Sequence, residues 1–224
     1  MEEIQIEHLS FTYPEKSVPA IFDLSLTVSR GSLTVLCGKS GCGKTTLLRL
    51  LKPALSPHGA KSGTIRISGH DISTLSDREQ AEKIGFVLQN PDNQIVCDKV
   101  WHELAFGLES LGYAGDEIRT RVSEMASFFG IEDWFFREVS TLSGGQKQLL
   151  NLAAVMTMQP SILILDEPTS QLDPIAAESF LQMLERINRE LGTTILLSEH
   201  RLEGVFPLAD QVIFLENAKL LAIG

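Results

Sequence analysis

The sequence lacks the signals that would place the chain in a membrane or in an oxidising compartment. No apolar run reaches the ~20 residues of a membrane-spanning helix. The acidic N-terminus has no basic segment followed by an apolar stretch, so no signal peptide is predicted. The three cysteines, at positions 37, 42 and 97, are too few for a disulfide framework and lack zinc-site spacing. These absences favour a cytosolic chain with reduced thiols.

The chain also lacks a basic stripe, an internal repeat and a low-complexity tract. Its 19 Lys and Arg are outnumbered by 29 Asp and Glu, and the net charge is −10. The basic residues are scattered, so we expect no nucleic-acid partner. The chain has 224 residues, of which 43% are apolar, which suffices for one large domain or for one domain that carries a subdomain.

The clearest motif that is present runs from Gly38 to Thr45 and fits the phosphate-binding pattern G-x-x-x-x-G-K-[ST]. Residues 33–37 before it predict a buried strand, and residues 46–51 after it predict a helix. In this context glycines turn successive backbone N–H groups inward around a phosphate. An ordinary glycine turn is the alternative. The length and context of the motif favour a phosphate site, in which Lys44 reaches the β- and γ-phosphates and the Thr45 hydroxyl binds Mg²⁺.

A second strong motif places two carboxylates at the end of an apolar strand. Asp166 and Glu167 directly follow the four apolar residues of 162–165. Adjacent buried carboxylates repel each other and lose solvation, so a purely structural role for both is disfavoured. We expect Asp166 to hold Mg²⁺ and Glu167 to polarise an attacking water.

Three further polar motifs lie at the ends of predicted elements. Gln89 ends a buried strand, where it either contacts a ligand or caps a loop. Leu142–Gln146 precede a helix predicted over 147–158 and offer either a second anion site or a capped helix start. His200 follows another apolar strand and either contacts a γ-phosphate or lies on the surface.

Two other regions differ from the apolar parallel strands. The N-terminal residues alternate in an antiparallel style, and Phe22, Leu24, Leu26 and Val28 are predicted to share one buried face. Amphipathic helices predicted over 100–111 and 116–129 indicate an all-helical insertion on an α/β core.

Together these motifs resemble the nucleotide-binding subunit of ATP-binding-cassette (ABC) transporters, along essentially the whole chain. The resemblance implies an α/β fold, with a P-loop NTPase core of mostly parallel sheet, an antiparallel β subdomain and an inserted α-helical subdomain. The ranges are 1–32 and 60–75 for the antiparallel subdomain, 33–59, 76–90 and 160–224 for the core, and 98–159 for the helical subdomain.

The resemblance also implies an ATP site with Mg²⁺. Tyr13, otherwise a packing residue, would stack on adenine, and Glu167 would be the catalytic base, with His200 and Lys44 on the γ-phosphate. Mg²⁺ would be held by Thr45, Gln89 and Asp166. The ATP-binding residues would be Tyr13, Gly38, Lys39, Ser40, Gly41, Cys42, Gly43, Lys44, Thr45, Thr46 and Gln89.

Members of this family act as dimers. The resemblance implies that Ser143, Gly144, Gly145 and Gln146 of one subunit close on ATP held by the other. The loop Ser170–Asp173 would also face the dimer, although Asp173 could serve merely as the N-cap of the next helix. The second ABC ATPase subunit or domain would be identical or different.

A narrower resemblance lies in Gln89–Val96 and Glu103–Gly107, which are similar to the ATPases of energy-coupling-factor (ECF) importers of vitamins and cobalt. It implies that this segment, with Gln94 and Phe106, receives a coupling helix of an integral membrane transport subunit. The chain would then lie at the cytoplasmic face of the cell membrane. Ser198–Arg201 and Gln171 also suit that group.

Some residues depart from the family pattern. Ser40 stands where asparagine is common, Leu149 where arginine is common, and Gln171 where glycine or alanine is usual. ECF ATPases commonly carry a further C-terminal segment, so one half of a tandem ATPase and a shortened subunit both remain open. The alternative functions are a soluble ABC-type ATPase outside transport, and a degenerate scaffold, which intact Lys44 and Glu167 disfavour.

Overall fold

The computed structural model describes residues 2–200 and 202–224, in which ten strands form two sheets. The strands are β1 (Glu2–Thr12), β2 (Ile21–Ser29), β3 (Leu33–Cys37), β4 (Ala60–Ile67), β5 (His70–Asp71), β6 (Ile84–Val87), β7 (Ile162–Asp166), β8 (Thr194–Ser198), β9 (Gln211–Glu216) and β10 (Lys219–Ile223). The α-helices are α1 (Lys44–Leu50), α2 (Asp77–Lys83), α3 (Val100–Ser110), α4 (Gly115–Phe129), α5 (Gly144–Met156) and α6 (Pro174–Leu191).

The larger sheet has the strand order β10-β9-β3-β8-β7-β6. Its strands from β9 to β6 pair in parallel, and β10 pairs antiparallel at one edge. Every residue of β3, β6, β7 and β8 is buried, which explains why these strands are predominantly apolar. Parallel strands bring their carboxyl ends to one edge, where the polar motifs after β3, β6, β7 and β8 meet.

The smaller sheet is antiparallel, with the order β2-β1-β4-β5. Leu24, Leu26 and Val28 are buried as predicted, but Phe22 is 47% exposed and Ile21 takes the inward position. The backbone at Asp23 has φ +46°, and the pairing of β1 with β2 shifts register beside it. This bulge adds one residue and reverses the alternation, so the prediction for Phe22 was wrong.

Helices α3, α4 and α5 lie between β6 and β7 in the chain and pack into one apolar core with α6 and one face of the larger sheet. The predicted α/β architecture is therefore confirmed. Helix α5 begins at Gly144 rather than at Lys147, because Ser143 and Gln146 exchange side-chain-to-backbone hydrogen bonds at its start. Among the described residues, no helix is both long and apolar enough to cross a membrane.

Candidate nucleotide site

The loop between β3 and α1 is packed so closely that two of its glycines are required. Gly38 and Gly43 have φ of +146° and +110°. A Cβ atom would lie 2.2 Å from the Leu215 carbonyl oxygen at Gly38, and 2.4 Å from the Ala20 carbonyl oxygen at Gly43. The Lys44 ammonium folds back over the loop and donates to the Gly38 carbonyl at 2.9 Å. The loop therefore has the shape of a phosphate cradle with a cation inside it.

A cavity of about 300 Å³ opens in front of this loop. The hydroxyl groups of Tyr13 and Thr46 lie 3.0 Å apart on its wall, and the Tyr13 ring meets Phe11 edge-on with 5.0 Å between centroids. Cys42 packs into the core beneath the loop and is only 6% exposed. The cavity is lined by Tyr13, Ala20, Ser40, Gly41, Gly43, Lys44, Thr45, Thr46 and Glu167.

The loop and the acidic strand end are joined by a hydrogen bond from Thr45 to Asp166. Thr45 Oγ1 and Ser198 Oγ each donate to Asp166 Oδ1 at 3.0 Å. Burial raises the pKa of Asp166, the two hydroxyl donors oppose that rise, and the neighbouring charge of Glu167 adds to it. A hydroxyl and a carboxylate at this distance form an oxygen-donor pair of the kind that suits Mg²⁺.

Glu167 meets the polar ends of two other strands. Its Oε1 lies 2.7 Å from His200 Nε2, and its Oε2 accepts from Gln89 Nε2 at 3.2 Å. Glu167 has φ +49°, an uncommon conformation for a residue other than glycine, and its N–H donates to Ser198 O and Oγ. Strained backbone of this kind recurs at functional sites. The structure thus brings together the acid, amide and imidazole that the sequence identified separately.

Two residues beside this cluster were given no role in the site by sequence reasoning. Ser198 holds both Asp166 and the Glu167 backbone, and its position as the polar end of an apolar strand could have pointed to it. Glu199 is 2% exposed and binds Thr169 through its carboxylate. No pattern in the sequence distinguishes a buried glutamate at that position from an exposed one.

The residues Ser143–Gln146 lie apart from the phosphate loop. Among the described residues, none of these four lines the cavity in front of that loop. Gly144 instead lines a second cavity of about 270 Å³, together with Gln89 and Gln171. Ser143 is exposed at the start of α5. This separation leaves the four residues free to face something outside the subunit.

Asp173 is the N-cap of α6. Its Oδ1 accepts from the backbone N–H groups of Ile175 and Ala176, both at 3.0 Å. The capping alternative is therefore observed, and the dimer-facing role of Asp173 stays a prediction. The side chain is exposed, so the cap does not prevent a further contact.

Gln148 connects α5 to two strand ends of the site. Its Nε2 donates to the carbonyls of Leu88 at 3.3 Å and Pro168 at 3.1 Å, which adjoin Gln89 and Glu167. The side chain is 1% exposed, and its Oε1 has no hydrogen-bond partner among the described residues. Any displacement of α5 therefore acts on both strand ends.

Gln94 and Phe106 line a groove of about 390 Å³ between the core and the helical layer. Phe106 is 42% exposed and presents its ring to this groove. Gln94 uses its amide internally, accepting from Leu88 N and donating to Phe86 O, both at 2.9 Å. Gln94 therefore builds the wall of the groove, and its contact with a partner stays a prediction. Arg201 lies outside the described residues.

Comparisons with known proteins give consistent results. The family model described as "ABC transporter" matches residues 21–170. A putative ABC transporter ATP-binding protein of Bacillus cereus is 50% identical over 220 residues, covering 98% of this chain and 40% of that protein. The energy-coupling factor transporter ATP-binding protein EcfA2 of Methanospirillum hungatei is 38% identical over 223 residues, covering 99% of this chain and 55% of that protein.

Among solved structures, cbiO1 from Clostridium perfringens, described as part of the ABC transporter complex cbiONQ, superposes with a TM-score of 0.90 at 31% identity. The match covers 100% of this chain and 89% of that one. The chain spans only 40% of the length of the Bacillus cereus relative.

Proposed function

The chain belongs to the ABC transporter family, and we propose that it is the ATP-binding and ATP-hydrolysing domain of an importer of the ECF type. In this proposal, ATP-driven closure of a dimer is coupled to the transport of a vitamin or metal ion through separate membrane subunits. The family expected from the sequence is confirmed, and relatives of the ECF group are among the similar proteins. The observation that carries the proposal is the meeting of Thr45, Asp166 and Glu167 with His200 beside the phosphate loop.

The phosphate groups would be bound by the backbone N–H groups of the loop and by the Lys44 ammonium. Mg²⁺, when bound with ATP, neutralises phosphate charge, and the side chains that would hold it are Thr45, Asp166 and Gln89. The described residues contain no group of three or more His, Cys, Asp and Glu side chains that could hold a metal ion alone. Phosphate oxygens would therefore complete the coordination, which ties metal binding to nucleotide binding.

Glu167 would accept the proton of the attacking water. The contact with His200 Nε2 and the hydrogen bond from Gln89 hold its two carboxylate oxygens, so the base is oriented before the water arrives. His200 would donate to the γ-phosphate as negative charge develops there. Because these side chains come from three different strand ends, small shifts of the strands alter the geometry of the reaction.

Dimerisation is supported by the separation of Ser143–Gln146 from the phosphate loop. The first turn of a helix attracts anions, and the first turn of α5 does not line the cavity in front of the phosphate loop of its own subunit. The partner would be a second ABC ATPase subunit or domain, identical or different. Its ATP would lie between its own phosphate loop and this turn.

Coupling to the membrane would occur at the groove that contains Phe106. An exposed aromatic side chain beside an apolar groove is typical of a protein contact. A short helix of an integral membrane subunit fits a groove of this kind, and it would place the chain at the cytoplasmic face of the cell membrane.

The proposal is tested by following ATP hydrolysis and dimer formation by the full chain and its Glu167→Gln variant. We expect the wild type to release phosphate, and the variant to bind ATP without releasing it and to accumulate as a dimer. A wild-type chain that neither binds nor hydrolyses ATP would contradict the proposal.

A further inference from the structure

Glu199 is a buried acid that the proposed mechanism does not use. It is 2% exposed and lies between the end of β8 and His200. Glu199 does not line the cavity in front of the phosphate loop. A buried side chain that does not line this cavity, yet lies beside Glu167 and His200, would act on the site through its neighbours.

The carboxylate of Glu199 is engaged by the turn that follows Glu167. Its Oε1 accepts from Thr169 Oγ1 at 2.7 Å and from Thr169 N at 3.1 Å. Its Oε2 accepts from the His200 N–H at 3.3 Å. One carboxylate therefore spans the two chain segments whose side chains, Glu167 and His200, meet at 2.7 Å.

The turn that follows Glu167 connects the hydrogen bonds between Thr169 and Glu199 to the backbone of Glu167. Ser170 donates to the Glu167 carbonyl through its backbone N at 3.2 Å and its Oγ at 2.9 Å, closing the turn around Thr169. Glu167 has φ +49°, a conformation that persists only when surrounding contacts maintain it. Thr169 is 4% exposed, so its bonds to Glu199 are shielded from competing water.

Stability alone does not explain an acid at this position. Burial raises the pKa of Glu199, and the bonds from Thr169 and the His200 N–H only oppose that rise. An apolar side chain of similar volume would avoid the cost of desolvating a carboxylate. The acceptor atoms, rather than the volume, distinguish glutamate from such a replacement.

We propose that Glu199 is a positioning residue that fixes the turn after Glu167 to the strand end that carries His200. This inference rests on the proposed ATPase function. Because Glu199 does not line the nucleotide cavity and meets His200 only through its backbone N–H, its loss acts on the rate of the reaction and not on nucleotide affinity. Because both restraints are hydrogen bonds to acceptor oxygens, glutamine, which keeps one such oxygen, preserves most of the effect.

The test compares kcat and KM for ATP of the wild-type chain with those of Glu199→Met and Glu199→Gln. We expect Glu199→Met to lower kcat about 10- to 100-fold, in line with the cost of displacing a reacting group by about 1 Å. The KM for ATP and the affinity for a fluorescent ATP analogue should change less than about 3-fold, as for an interaction made only in the transition state. Glu199→Gln should recover most of the lost kcat.

Glu3→Met is the matched control, since Glu3 is also buried, at 4% exposure, and accepts from Ser68 in the antiparallel sheet. We expect it to lower Tm and leave kcat unchanged.

Thr169→Val provides a second route if Glu199→Met does not fold. It keeps the N–H bond, so its kcat should fall less, and its effect should not add to that of Glu199→Met where both fold.

Three results would overturn the inference: an unchanged kcat in Glu199→Met, a KM that rises as kcat falls, or a Glu199→Gln variant as impaired as Glu199→Met. In each of these cases the wild type is active and the proposed function stands. An inactive wild type would instead overturn the proposed function, and this inference with it.

Discussion

Glu167 Oε1 and His200 Nε2 lie 2.7 Å apart at the carboxyl ends of the neighbouring strands β7 and β8. The same strand pair brings Ser198 against Asp166, so the acidic pair and the histidine are fixed by one register. A base held in this way is oriented by the fold before any substrate is bound.

Replacement of the base should separate ATP binding from hydrolysis. We expect Glu167→Gln to lower kcat by about 10²- to 10⁴-fold, the usual contribution of a general base, while ATP binding persists. The measurements are phosphate release and size-exclusion chromatography with ATP. Glu178→Gln, an exposed acid on α6, is the control and should behave as wild type. Normal turnover in Glu167→Gln would refute its assignment as the base.

Replacement of Asp166 should abolish activity and stabilise the protein. Burial raises the pKa of Asp166, because the charged carboxylate loses solvation in the folded protein. Asparagine keeps an oxygen that accepts from Thr45 and Ser198 but carries no charge. We expect Asp166→Asn to have a higher Tm without nucleotide, by differential scanning calorimetry, and to lose Mg²⁺-dependent hydrolysis. A lower Tm would show that the carboxylate is net stabilising.

A bulky cation at the start of α5 should prevent closure of the dimer without affecting the subunit's own ATP site. We expect Ser143→Arg to bind ATP as wild type does but to form no ATP-dependent dimer, even when combined with Glu167→Gln. Ser123→Arg, at an exposed position on α4, is the control and should dimerise. Loss of ATP binding by monomeric Ser143→Arg would argue that these residues serve their own subunit.

The groove beside Phe106 can be tested by co-purification with membrane subunits. We expect wild-type chain to retain an integral membrane protein in detergent, and Phe106→Glu to lose it, because a carboxylate in an apolar contact is costly. Phe136→Glu is the matched control, since Phe136 is 80% exposed and lies outside this groove. Equal recovery with Phe106→Glu would place the contact elsewhere.

The stability of the chain should depend on pH through Lys52. Its ammonium donates to the carbonyls of Gln80 at 2.8 Å and Ile84 at 2.5 Å, and burial lowers the pKa of Lys52 from 10.5 to about 8. Between these values the unfolded chain binds a proton that the folded chain has released. The free energy of unfolding of the wild type, relative to Lys52→Met, should therefore rise with pH from about 8 to about 10.5.

Denaturant unfolding at several pH values across that range provides the measurement. Lys16→Met, at an exposed position in the loop after β1, should show no such pH dependence relative to wild type. If the free energy of unfolding of the wild type, relative to Lys52→Met, fell as pH rises, the result would contradict the lowered pKa of Lys52.

The sequence predicted the fold correctly for strands whose residues are apolar and also buried in the structure. The predominantly apolar residues of β3 and β7 could be placed in a buried parallel sheet, and the polar motifs at their ends on its carboxyl edge. Phe22 could not be placed correctly, because a bulge depends on a single backbone angle at Asp23 that alternation does not reveal. The alternation of side chains along β2 does not show where one extra residue enters its pairing with β1.

The site was predictable in its members but not in its contacts. Asp166 and Glu167 stood out as adjacent acids after an apolar strand. The internal use of Gln94 and the burial of Glu199 depend on segments that come together only in the folded chain. An amide or acid in a polar stretch has the same appearance in sequence whether its partner is water or a distant backbone group.

The position of Gln148 has a consequence for a dimer. In the proposed dimer, helix α5 would present its first turn to the other subunit, and the same helix contacts the segments after β6 and β7 through Gln148. ATP bound at one site would therefore alter the position of the strand ends that carry the catalytic residues of the other site. By linkage this influence is reciprocal for binding. Because each ATP would favour the same closed dimer, the two sites should fill cooperatively, with a Hill coefficient for ATP above one.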